Sequence, residues 1–147
     1  MNSQLSAKCS LWANRILSLT VAALCVFLPR LLLWYQTVRP LGPEAADGIL
    51  YGYYLCVPVV GFALWSIDRL LRNILAGRVF EMANVRFLRR IRWCCAGVSV
   101  ICIPAAWLYP PLIFLVAIMA FLALMVSVVK NVMAAAVEIR EENELTV

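Results

Sequence analysis

The sequence predicts an all-α integral membrane protein: a four-helix bundle with a cytosolic amphipathic loop helix between spans two and three. Three observations carry that prediction. Hydrophobic residues make up 65% of the 147 residues, against about 45–50% in an average soluble domain. Only 14% are charged, where about 25% is usual. The apolar residues gather into four runs of membrane-crossing length, with the basic residues clustered beside them. The length fits a single domain over 1–147. So apolar a chain is neither disordered nor a typical water-soluble enzyme, because a small fold cannot hide that much apolar surface.

The first run, Ile16 to Tyr35, has 20 residues, about 30 Å as a helix and enough to cross a bilayer. Lys8 and Arg15 precede it, as in a signal peptide. The run is too long for one, and no A-x-A site closes it, so it is expected to stay in the mature protein. Pro29 removes a backbone donor and kinks the helix. Arg30 lies about five residues from the end and snorkels to the interface; its candidate partners are Glu44 and Asp47 in the following loop.

Pro40, Gly42 and Pro43 break the chain before span two, residues 49–67. Tyr51, Tyr53 and Tyr54 at one end and Trp65 at the other read as headgroup-level aromatics. Residues 68–92 form the one sizeable polar segment between spans, with seven arginines against Asp68 and Glu81. Its first part continues span two as far as Ala76. Gly77 then takes positive φ and ends that helix. From Glu81 to Arg92, the residues Met82, Val85, Leu88 and Ile91 form an apolar stripe beside arginines, the pattern of an amphipathic surface helix.

Span three, residues 93–109, contains Pro104 and is followed by a tight turn at Pro110 and Pro111. Span four is 112–129, and helix is expected to continue through Ala136 because alanine is the best helix former. The tail, 130–147, holds four acids against Lys130 and Arg140. With both termini cytoplasmic, eleven basic residues fall inside and only Arg30 and Arg39 outside.

The spans contain no acid or histidine of the kind that ion or proton pathways use. Ser18, Thr20, Ser99 and Ser127 bond back to their own helix carbonyls. No phosphate-binding loop, zinc motif or nucleophile elbow is present. Neither enzyme activity, nor a catalytic residue, cofactor or metal is therefore expected. Six cysteines lack any C-x-x-C pair; Cys94 and Cys95 read as small packing residues rather than a redox pair. Positive charge set between apolar runs fits membrane topology rather than direct nucleic-acid binding.

Gly77-Arg78-Val79-Phe80, then Asn84, then Leu88-Arg89-Arg90 follow a G-[KR]-x-F-x-x-x-N-x-x-x-L-[KR] pattern, and the tail from Arg140 reads R-E-E-N-E-L-T-V. Both resemble the bacterial membrane family catalogued as domain of unknown function 2975. Glu81 and Arg92 depart from that pattern, where a small hydroxyl residue and a glycine are common. The resemblance implies a four-helix protein of the bacterial inner membrane with no established activity. It also implies, by association, a partner such as a small helix-turn-helix transcriptional regulator.

The residues themselves suggest a cytosolic docking surface built from Phe80, Asn84, Arg86, Arg89, Arg90, Arg140, Glu141, Glu142 and Leu145. In that reading Phe80 inserts apolar area at the interface, Asn84 bonds exposed backbone, and the acidic tail folds onto the arginine helix, Glu142 beside Arg89. The sequence thus points to a regulatory or interaction protein without catalytic machinery, in contact with the lipid bilayer and a cytosolic protein. An accessory subunit of a transporter or envelope complex is the alternative, and a homo-oligomer is compatible with either.

Overall fold

A computed structural model describes residues 2–40 and 42–146; Met1, Leu41 and Val147 lie outside the described residues. Four helices follow one another: α1 (Asn2–Val38), α2 (Pro43–Leu75), α3 (Met82–Leu108) and α4 (Leu112–Leu145). All four are long and apolar enough to cross a membrane. Even the shortest, α3 with 27 residues, measures about 40 Å, more than the ~30 Å hydrocarbon layer. Each helix therefore overshoots its apolar run. Pro43 sits in the first turn of α2, where its missing N–H leaves no orphan. α3 stops at Tyr109, because Pro110 and Pro111 supply no backbone donor to continue it.

Residues 68–92 do not form a loop carrying its own helix. α2 runs on to Leu75 and α3 already begins at Met82. Nothing between Met82 and Trp93 interrupts a helix: there is no glycine and no proline, and arginine is a good helix former. The apolar stripe does exist, but Val85, Leu88 and Ile91 are buried in the protein rather than laid on a headgroup layer. The tail likewise continues α4 as helix to Leu145 instead of folding back.

Packing is serial: α1 lies on α2, α2 on α3 and α3 on α4, while the backbones of α1 and α4 do not meet. The bundle is therefore open rather than closed. Asn14 Nδ2 donates to Leu64 O at 3.2 Å, and the Tyr53 and Tyr54 hydroxyls donate to Val21 O and Cys25 O, so α1 and α2 run antiparallel. Those two tyrosines, expected at an end of span two, lie well inside α2 and anchor α1. Ser18 and Thr20 bond their own helix as expected, but Ser99 Oγ crosses to Val116 O at 3.1 Å and ties α3 to α4. A Cβ on Gly48 would stand 2.7 Å from Leu108 Cδ1, so a glycine there admits the close approach of α2 and α3.

Cys56, Val98 and Cys102 form the central packed cluster, with the two Sγ atoms 3.9 Å apart. Above them lies a small apolar chamber of about 280 Å³, walled by Val21 and Leu24 of α1 and by Leu115 and Met119 of α4. Much of the exterior is apolar: Trp107 is 91% exposed, and Leu19, Val26 and Phe114 stand out from their helices. Water would not tolerate such a surface. Together with the four spans it points to a multi-pass membrane protein in contact with lipid.

The alternation of helices puts both terminal segments and the α2–α3 turn at one end, hereafter the charged end. The α1–α2 and α3–α4 connections lie at the other, where Tyr35 and Tyr109 hydroxyls meet at 3.2 Å. No ion pair among the described residues joins Arg30 to Glu44 or Asp47; Arg30 is exposed.

Candidate functional site

The charged end is organised by the way α2 stops. Gly77 has φ of +77°, its N–H reaches Ile74 O, and the Arg78 N–H reaches Asn73 O, both at 3.0 Å. This pair of bonds is a Schellman motif, which needs a residue free to turn left-handed. The chain then bends at Phe80 and reaches Glu81, the extended N-cap of α3, whose own side chain makes no capping bond.

The side chain that holds the turn is instead Asn84, in the first turn of α3. Its Nδ2 donates to Arg78 O at 2.7 Å and Val79 O at 2.8 Å, and its Oδ1 accepts from Asn73 Nδ2 at 2.9 Å. One side chain thereby ties the end of α2, the connecting turn and the start of α3 together. It is 0% exposed. The expected bond from Asn84 to the turn backbone is present, but the residue is a staple inside the fold and no partner can reach it.

Tying the turn down presents Phe80 outward. Phe80, 47% exposed, faces the end of α4 across an open groove of about 750 Å³ lined also by Ala136, Ile139, Arg140, Asn143 and Glu144. A smaller polar recess of about 310 Å³ adjoins it, bounded by Arg78, Glu81, Arg140, Glu141 and Glu144. Val137, 2% exposed, fixes α4 beside the turn. Arg140 Nε lies 3.1 Å from Glu144 Oε1, and Arg78 Nε lies 4.0 Å from Glu81 Oε1. Both pairs are solvent-exposed and each contributes only about 0–1 kcal/mol. They shape the rim more than they hold it.

Of the residues singled out from sequence, Phe80, Arg140 and Glu141 come together here. Glu142 and Leu145 are exposed on the last turns of α4, and Leu145 at 86% is nearly free; the terminal Val147 falls outside the described residues. Arg86, Arg89 and Arg90 are exposed on α3 and do not meet the tail. Arg90 instead lies over the rings of Phe62 and Phe87. The contact between Arg89 and Glu142 is excluded by register. Arg92 pairs with Ser127, so Arg89 stands level with about residue 130, and Glu142 lies roughly 18 Å further along α4. The acidic tail borders the turn at residues 77–82, not the arginine-bearing turns of α3.

Sequence reasoning missed Asn73, Ala136 and Ile139; Asn143 and Glu144 fell within the tail motif without being singled out as contacts. Met133, Ala136 and Val137, spaced three and four apart, did carry a signal that the tail has an inward face. Cys94 is buried and Cys95 half-buried, both as free thiols.

The family model of a protein of unknown function, DUF2975, matches residues 23–147. No curated protein and no solved structure matches the chain.

Proposed function

This chain belongs to the DUF2975 family of proteins of unknown function, and we propose that it is a non-catalytic membrane protein that docks a soluble cytosolic partner. The observation that carries this reading is the groove between Phe80 and the end of α4. It combines an exposed aromatic ring and an exposed Ile139 with a rim of Arg140, Asn143 and Glu144. An apolar floor with a charged rim suits the apolar face of an amphipathic helix on a partner. A small helix-turn-helix regulator is the partner class the family resemblance brings, and the cell would be a bacterium with this end of the protein facing its cytoplasm.

The position of the groove supports a binding role over a stability role. Residues beyond Ile139 add little buried surface, and Arg140 to Thr146 are all exposed. Truncation after Ile139 is the experiment. It deletes Arg140, Asn143 and Glu144 from the rim but keeps Val137 in place. Membrane abundance is expected to stay normal while recovery of the partner in mild detergent, quantified by mass spectrometry, is lost. Unchanged recovery would rule out the groove as the contact, and disappearance from the membrane would assign the tail to stability.

A second reading, a subunit of a transporter or envelope complex, draws on α1. The backbone of that helix lies close to α2 alone, and much of its surface is uncovered. Co-purification of membrane-embedded subunits instead of a soluble protein would favour it.

A further inference from the structure

From Met82 to Val137 the chain contains no aspartate or glutamate, yet it carries Arg86, Arg89, Arg90, Arg92 and Lys130. The ion pairs among the described residues are Arg72 with Asp68, Arg78 with Glu81 and Arg140 with Glu144; none involves those five. Arg92 is the one set deepest. It is half-buried between α3 and α4, with Nη1 donating to Ser127 Oγ at 3.5 Å and the guanidinium over the Trp93 ring at 5.3 Å. A long hydrogen bond to a neutral hydroxyl and a ring face leave most of its five donors open.

Arg92 also heads a groove of about 490 Å³ between α3 and α4. From Arg92, Trp93 and Ser127 the groove passes Ala96, Ala123 and Leu124 to Ser99, Val100 and Ala120. The direction is inward along both helices, away from the charged end. Alanines keep the floor low, and the outer walls, Val100 and Leu124, are exposed to the surrounding medium. From Arg92 to Val100 the groove runs about 12 Å along α3. A cationic head with an apolar slot below it is the inverse image of one phospholipid chain and its phosphate.

A guanidinium keeps its charge wherever it sits. At the edge of the hydrocarbon, with no carboxylate anywhere from Met82 to Val137, the anion available at its depth is a lipid phosphodiester, which a guanidinium binds as a two-pronged fork. Arg89 and Lys130 follow at i−3 and i+3 from Arg92 and Ser127, on the same helix faces and one turn toward water. That excess of positive charge selects a headgroup without its own cation. We propose that the α3–α4 groove headed by Arg92 binds an anionic phospholipid, its phosphodiester on the guanidinium and one acyl chain along the alanine floor. The inference needs the membrane location alone and stands or falls independently of partner docking.

Native mass spectrometry of the detergent-purified full chain tests it, using phosphatidylglycerol and phosphatidylcholine with identical acyl chains. The wild type is expected to prefer phosphatidylglycerol. Arg92→Gln should weaken that binding by at least about tenfold. Ala123→Leu, which fills the slot and leaves every charge in place, should weaken it comparably. Arg69→Gln removes the same charge from α2, away from the groove, and should leave it intact. Circular dichroism confirms that each variant remains helical. Equal binding of the two lipids overturns the proposal, as does an unaffected Arg92→Gln. Full binding by Ala123→Leu together with displacement by inorganic phosphate would reveal a plain anion site and also overturn it.

Discussion

Asn84→Ala is expected to cost about 3 kcal/mol, the sum of leaving two carbonyls and one amide at the α2–α3 turn without their partner. For a chain of this size that lowers the unfolding midpoint by about 6–12 °C. The three bonds at 2.7, 2.8 and 2.9 Å all end on one side chain that is 0% exposed, so water cannot replace them without opening the turn. Asn84→Asp keeps an acceptor for Asn73 but loses both donated bonds and sets a carboxylate against the oxygens of Arg78 and Val79. It is expected to be at least as damaging. Asn73→Ala removes only the 2.9 Å bond and should cost about 1 kcal/mol. Thermal unfolding in detergent, followed by circular dichroism, reads the order. An Asn84→Ala midpoint within a degree of the wild type would refute the staple.

Phe80→Ser is expected to do the reverse: little to stability, much to binding. Phe80 is about half exposed and closes no helix end, so the folded state loses under about 1 kcal/mol. As the one aromatic ring lining the groove, it has the character of a binding hot spot, and truncating such a residue costs about 2 kcal/mol or more, some thirtyfold in affinity. Arg86→Ser, on an exposed face of α3 away from the groove, should leave binding within a factor of two or so. If Phe80→Ser and Arg86→Ser bind the partner equally well, the groove is not where the partner docks.

The positions of the helices were legible because membrane crossing imposes a length on apolar runs, and Gly77 was legible because few residues take positive φ. Other features depend on what a helix meets, which a period does not encode. The stripe Met82–Val85–Leu88–Ile91 announced an apolar face correctly, but lipid, headgroup and protein all accept one. Here the face turned to protein, so the surface helix became the first turns of α3. The same ambiguity concealed the open packing, since in lipid apolar surface alone does not drive helices together. Charge complementarity between the arginines and the acidic tail was real at the level of composition, yet the antiparallel register separates Arg89 from Glu142. Asn84 was legible as a hydrogen-bonding residue; its three partners were not, being set by the path of the turn. Ser99 bonds across to α4 rather than to its own helix for a like reason: a neighbouring carbonyl stood within reach.

The account rests on the charged end facing the cytoplasm, because only there can the groove at Phe80 meet a soluble cytosolic partner. Reporter fusions after Val147 and in the α1–α2 connection near Gly42 measure this directly. The eleven-to-two distribution of basic residues predicts a cytoplasmic reporter at Val147 and an external one near Gly42. An external reporter at Val147 would contradict the account.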